Sequence, residues 1–228
     1  NDGVAAWAAI NLTAFVASTP EEFLKLGVAQ RPGPSGKPNL LKLGWHVLTH
    51  LHIVPGVKSA KSLEPSQSFA SETYAGLHTY FFVDEAGARH PFRYRWMPRE
   101  TLPPLSPEAV REKPPQYLLD ALRERLGRGT IVFDLVAQMA EPTDDLVHPN
   151  VPWPEARRVV PLGVLTIDRV HEDQREAELL VFDPGNVPKG LETSDDPILK
   201  FRSKIYSESF ARRSHETRTT PAPKDMGQ

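Results

Sequence analysis

The chain contains no cysteine. That excludes disulfide bridges, thiolate metal sites and a cysteine nucleophile together, and it fits a reducing, cytoplasmic setting. No apolar run is long enough to span a bilayer. The opening stretch, residues 4–16, is apolar but short, with no basic flank and no cleavage pattern. A large charge of one sign is missing too. The 27 basic and 29 acidic residues leave a net charge of -2, so neither nucleic acid nor a membrane surface is expected as a partner. There is no phosphate-binding loop, no GxGxxG after a strand, no GxSxG elbow and no CxxC. An initiator Met is also absent. The chain opens Asn1-Asp2-Gly3 and runs into apolar sequence, which suggests a processed chain or the C-terminal part of something longer.

What is present is ordinary for a globular protein: 39% hydrophobic and 25% charged residues over 228 positions, enough for one large core. Proline is abundant, at 23 residues, and predicts long stiff connections rather than a helical bundle. Residues 10–18 read as a strand. Thr19-Pro20-Glu21-Glu22 opens a helix, with a cap, a first-position proline and acidic residues in the first turn. After a Pro/Gly cluster at 31–38, residues 39–52 read as a short helix. The stretch 73–97 reads as a hairpin turning at Asp84-Glu85-Ala86-Gly87, with Phe92, Tyr94 and Trp96 at period two. Residues 106–128 read as helix, 130–140 as strand and 159–170 as strand, with Leu162, Val164 and Ile167 as inward candidates. Residues 196–213 form a last helix, and a polar tail predicted to be disordered starts at Ser214. Residues 1–213 then make a single domain. The order of elements argues for an α+β fold on an antiparallel sheet or barrel, not a parallel βαβ unit.

The last helix carries the chemistry. Asp195, Asp196 and Pro197 give it a strong start. At about 100° per residue, Tyr206 lies about 40° and Arg213 about 20° around the axis from Arg202. The three share one stripe. A phenol is a poor ligand while protonated, with a free pKa of about 10, and an arginine one turn away opposes the charge of the phenolate. An arginine further along suits bidentate pairing with a carboxylate. Elsewhere, His46 and His50 stand at i, i+4, with His52 close by. That spacing suits zinc on a helix, although no HExxH glutamate accompanies it.

Several segments, in order, resemble the catalase-like haem proteins. Asn11-Leu12-Thr13-Ala14 and Thr19-Pro20-Glu21-Glu22-Phe23 resemble the strand and helix start on the distal side. Residues 68–78 and Phe92-Arg93-Tyr94-Arg95-Trp96 resemble the central hairpin. The run from Val181 through Asp183-Pro184-Gly185 and Ser194-Asp195-Asp196-Pro197 to Arg202 and Tyr206 resembles the approach to the proximal helix. The ending Phe210-Ala211-Arg212-Arg213 is closer to the small bacterial catalase-related peroxidases.

The resemblance implies a catalase-type antiparallel β-barrel with flanking helices and haem b as cofactor. It implies Tyr206 as the iron ligand, as in catalase, Arg202 as its charge partner and Arg213 as a propionate or tyrosinate neighbour. Phe23 and Phe15 fall where the family packs aromatics near the haem, and Asn11 where it places a distal asparagine. No position matches the family's distal histidine, which would lie before Asn1. The implied activity is that of a peroxidase or catalase on hydrogen peroxide or organic hydroperoxides. The alternatives are a haem enzyme that rearranges or dehydrates its substrate, or a haem-binding protein lacking the distal base. The implied partners are haem and a small peroxide, with a homo-oligomer compatible and no nucleic acid or membrane span.

Overall fold

The computed structural model describes residues 5–32, 40–172, 177 and 180–219. Its helices are α1 (Pro20–Ala29), α2 (Leu40–Thr49), α3 (Val54–Lys61), α4 (Pro107–Arg111), α5 (Tyr117–Arg128) and α6 (Pro197–Thr219). Its strands are β1 (Tyr74–Ala75), β2 (Tyr80–Val83), β3 (Arg89–Pro98), β4 (Ile131–Met139), β5 (Val159–Ile167) and β6 (Leu191–Thr193). The strands form one antiparallel sheet in the order β5-β4-β3-β2-β6, with β1 paired to β3. The fold is α+β, an antiparallel sheet with flanking helices as expected, but the sheet is open. Among the described strands β5 and β6 are its two edges, so the barrel closure expected from the resemblance is not seen.

The hairpin holds the centre. Tyr80 lies opposite Phe92 and Phe82 opposite His90, across the Asp84–Gly87 turn. Period-two alternation then sends Phe92 and Tyr94 to one face of β3 and Arg93 and Arg95 to the other. Tyr80, Phe92, Tyr94 and Ala137 are buried on the first face, and Leu199 of α6 packs on them. Phe82 stacks on Phe92 at 3.8 Å. Each such aromatic contributes up to about 3 kcal/mol by burial. The N-terminal turn of α6 is therefore seated on the sheet by its own Leu199.

The opposite face is closed by the loop after β4. Arg93 is buried there, and its guanidinium donates to the carbonyls of Val151 (2.8 Å), His148 (3.2 Å) and Asp145 (3.3 Å). Trp153 lies across its face at 4.4 Å. Burial pushes this guanidinium down to about 10, so it is still charged at neutral pH.

Four expectations need correction. Residues 10–18 are not a strand. Only Ile10 makes a bridge, with Ala75; beyond it the Thr13 amide donates to Ser59 Oγ and the Phe15 amide to the Pro149 carbonyl. Three different partners satisfy that backbone, where a strand would need one neighbour. Residues 106–128 are two helices, broken at Pro114-Pro115. Of the inward candidates on β5, Ile167 is half-buried against Ile131 and Phe133, but Val164 is 55% and Leu162 37% exposed, because nothing described covers that part of the edge strand. Finally, α6 runs to Thr219, past Ser214 where a disordered tail was expected; residues 220–228 lie outside the described residues.

Candidate functional site

The site grows from the start of α6. Asp196 is 1% exposed. Its Oδ1 accepts the amides of Ile198 (2.8 Å) and Leu199 (3.2 Å), which caps the helix. Its other oxygen, Oδ2, lies 2.6 Å from Nδ1 of buried His78, at the entry to β2. His78 Nε2 lies 3.1 Å from Arg202 Nη1. Arg202 Nη2 donates to the Tyr206 hydroxyl oxygen at 2.6 Å. A line of side chains thus runs Asp196–His78–Arg202–Tyr206.

Donor chemistry fixes its protons. A guanidinium only donates, so Nε2 of His78 accepts. The ring proton is then on Nδ1 and points at the Asp196 carboxylate. This tautomer follows from the partners and not from observed hydrogens. The line orients Arg202, and Arg202 orients the phenol from the preceding turn, with its guanidinium carbon 5.3 Å from the Tyr206 ring centre.

The loop before α6 is fastened to the same helix. Ser203 Oγ donates to Asp183 Oδ1 at 2.7 Å, and the Gly185 amide donates to the same oxygen at 2.8 Å. A Cβ at Gly185 would lie 2.5 Å from Ser203 Oγ, so that close approach needs glycine. Tyr80 donates to the Pro184 carbonyl at 3.0 Å. Burial pushes the Tyr80 phenol well up, with Arg202 pulling weakly the other way. Tyr80 therefore stays a proton donor.

Tyr206 opens into a cleft of about 350 Å³. Its walls are apolar: Phe15, Phe23, Leu77, Ile198, Phe201 and Ile205, with His78, Arg202 and Tyr206 as the polar groups on one side. Phe23 comes from α1. Thr19 Oγ1 accepts the Glu22 amide at 3.2 Å, the cap the sequence signalled, and Glu22 Oε2 in turn accepts the Ser18 amide at 2.9 Å. Phe15 and Phe23 face each other at 5.3 Å. The Phe15 amide donates to the Pro149 carbonyl at 2.9 Å, and next to it Ser18 Oγ donates to Asn150 Oδ1 (2.9 Å) and Asn150 Nδ2 to the His52 carbonyl (2.7 Å).

Of the residues expected at a site, the fold brings Arg202, Tyr206, Phe15 and Phe23 to one cleft. Asn11 is not among its lining residues. Ala8, Ala9 and Ile10 line the cleft in succession, Ile10 with its backbone paired to Ala75, and the chain bends away at Asn11. Arg213 also lies outside the lining; its Nη2 is 3.5 Å from the Leu180 carbonyl. Of the histidine cluster, His50 and His52 lie with ring centres 5.9 Å apart. His52 pairs with Glu22 at 3.0 Å, the His46 side chain lies outside the described residues, and no group of three metal-ligating residues occurs among the described ones. Sequence reading missed His78 and Asp196 as site residues. The available signal was a histidine inside the apolar run Leu77-His78-Thr79-Tyr80, since an unpaired polar group there would be costly to bury.

Comparison with known proteins agrees with this geometry. The family model described as Catalase matches residues 1–220. A catalase-related peroxidase of Mycolicibacterium paratuberculosis is 36% identical over 212 residues, covering 91% of this chain and 66% of that protein. One of Synechococcus elongatus is 27% identical over 209 residues, covering 91% and 62%. The chain thus spans less than two thirds of the length of these relatives. Among solved structures, catalase A from Saccharomyces cerevisiae superposes with a TM-score of 0.78 at 18% identity, over 93% of this chain and 47% of that one. A fungal catalase gives 0.78 at 19% identity, over 93% and 46%. With the family model matching nearly end to end, and a buried Asp–His pair holding the arginine that delivers a tyrosine to an apolar cleft, the chain belongs to the catalase family.

Proposed function

We propose that this chain forms the proximal side of a haem site in a peroxidase acting on hydrogen peroxide or an organic hydroperoxide, with Tyr206 as the iron ligand. The observation that carries the reading is the line Asp196–His78–Arg202–Tyr206 ending in the cleft. The donor set fits a flat apolar cofactor with a metal at its centre. Apolar side chains stand ready for the ring, and one oxygen, held by a cation, stands ready for the iron. Phe23 and Ile205 are left half exposed on those walls, as a ring-covered surface would be when bare.

Haem b bound here would supply the redox-active iron for peroxide reduction. The residues of the chain do the rest. Arg202 compensates negative charge on the Tyr206 oxygen and holds it at a fixed angle. His78 and Asp196 keep Arg202 from swinging into solvent. Phe15 and Phe23 exclude water from the ring face. Arg213, on the same helical stripe but outside the cleft lining, is assigned to a cofactor carboxylate that reaches beyond the cleft.

Haem reconstitution tests this. Wild-type protein should give a high-spin ferric Soret spectrum and turn over hydroperoxide with a reducing donor. Tyr206→Phe should bind haem weakly or with an altered iron spectrum. An unchanged spectrum in Tyr206→Phe would overturn the ligand assignment.

A further inference from the structure

The line Asp196–His78–Arg202–Tyr206 is short of one positive charge. A tyrosine oxygen that holds a metal is anionic, and Arg202 answers it at 2.6 Å. Asp196 is a second, buried anion. What it touches is neutral: the amides of Ile198 and Leu199 and Nδ1–H of His78. A buried carboxylate needs an opposing charge as well as hydrogen bonds. Arg93 poses the same problem with the sign reversed. It is buried on the other face of the sheet, and its donors go to three carbonyls and, at 3.3 Å, to Thr79 Oγ1. The nearby loop carboxylates are committed elsewhere, Asp144 to Arg157 and Asp145 to His148 and two loop amides.

The two unanswered charges are joined through the sheet. Tyr80 faces Phe92, so Thr79 and Arg93 are neighbours across β2 and β3. On the far side the Thr79 carbonyl accepts the Ser194 amide at 3.1 Å, and Ser194 Oγ accepts the Asp196 amide at 3.4 Å. Thr79 and Ser194 are both buried, so the row between cation and anion is dry and screens little. Burial pushes the Arg93 guanidinium down, and Asp196 leads the carboxylates that pull it back up.

We propose that Arg93 is a positioning residue of the candidate haem site: it is the through-sheet counter-ion of Asp196, so that cation and anion alternate from Arg93 to Tyr206. Its fork serves the other wall of the cleft. The Val151 and His148 carbonyls that it holds flank Pro149 and Asn150, which hold the Phe15 amide and the Ser18 hydroxyl. The effect on the iron rests on the haem reading; the pairing with Asp196 does not.

Two variants separate charge from fork. Arg93→Gln removes the charge and keeps an amide for the carbonyls, and Arg93→Lys keeps the charge and loses the fork. Each is combined with Asp196→Asn in thermal melts of the haem-free protein, run in a stabilising osmolyte so that the double variants fold. The glutamine cycle should couple by about tenfold in the unfolding constant, and the lysine cycle by less than about twofold. No coupling with glutamine, or equal coupling in the two cycles, overturns the counter-ion. In reconstituted protein, Arg93→Gln should lower the reduction potential of the iron, because losing a nearby cation favours the ferric state, while Arg93→Lys keeps the wild-type value. Both should release haem faster through the loosened phenylalanine wall. A potential unchanged in Arg93→Gln, or shifted alike in both variants, overturns the effect on the iron. If the glutamine cycle couples and wild type takes up no haem, the pairing stands and the haem reading fails.

Discussion

Replacing Asp196 by asparagine changes one atom and should disable the whole line. Oδ1 can go on capping Ile198 and Leu199, but the amide nitrogen then faces Nδ1–H of His78 across 2.6 Å. If the histidine shifts its proton to Nε2, that proton meets Nη1–H of Arg202 at 3.1 Å. If the asparagine flips, its amide meets the two helix amides. Every arrangement leaves two donors facing each other in a buried place. A lost charge-assisted hydrogen bond is worth about 1.5–3 kcal/mol and a buried unsatisfied donor costs about 1–3 kcal/mol. The two overlap, so about 3 kcal/mol is expected. For a chain of this length that lowers the melting temperature by about 6–12 °C. Thermal melts of the haem-free protein measure it. Asp196→Asn, His78→Gln and the double variant form a cycle whose coupling should be about 1–2 kcal/mol. Additive single effects, or an asparagine variant within about 0.5 kcal/mol of wild type, would refute the proton assignment.

Other perturbations reach the cleft from outside it. Gly56→Ala would place a Cβ 2.0 Å from the Phe15 carbonyl oxygen; the displaced segment should cost about 1–3 kcal/mol and weaken haem binding, read by haem titration. Arg93→Met strips three carbonyls of their donor and should cost about 3 kcal/mol or more, with faster proteolysis within residues 145–153 as the readout. Asp144 is held below its ordinary 3.8 mainly by its hydrogen bond with Arg157. A depressed native value stabilises the fold fully above 3.8 and loses that contribution as pH falls through the native value. Urea midpoints should therefore fall less steeply with acidification in Asp144→Asn than in wild type.

How much of this was legible in sequence depended on distance along the chain. Arg202 and Tyr206 are four residues apart, and helical period alone put them on one stripe. The hairpin was legible because Phe92, Tyr94 and Trp96 alternate around a turn with few alternatives. His78 and Asp196 stand 118 residues apart, and no local pattern links a histidine on a hairpin arm to a helix cap. The segment 10–18 misled for a related reason. Its apolar residues face a cleft and a helix, not a neighbouring strand, and its amides find partners in three other segments.

The open side of the sheet has a practical corollary. β5 presents Val159, Leu162, Val164 and Leu165 to solvent along a strand with no described outer neighbour. Its guards are Pro161, which lacks an amide to donate, and the register break opposite it at Leu135/Val136. A foreign strand can therefore zip along only part of this rim before the proline stops it. Colloidal behaviour of the isolated chain then hinges on one imino acid. Exchanging Pro161 for a β-branched residue would lengthen the sticky stretch and lower the concentration at which the chain precipitates, with the fold itself untouched.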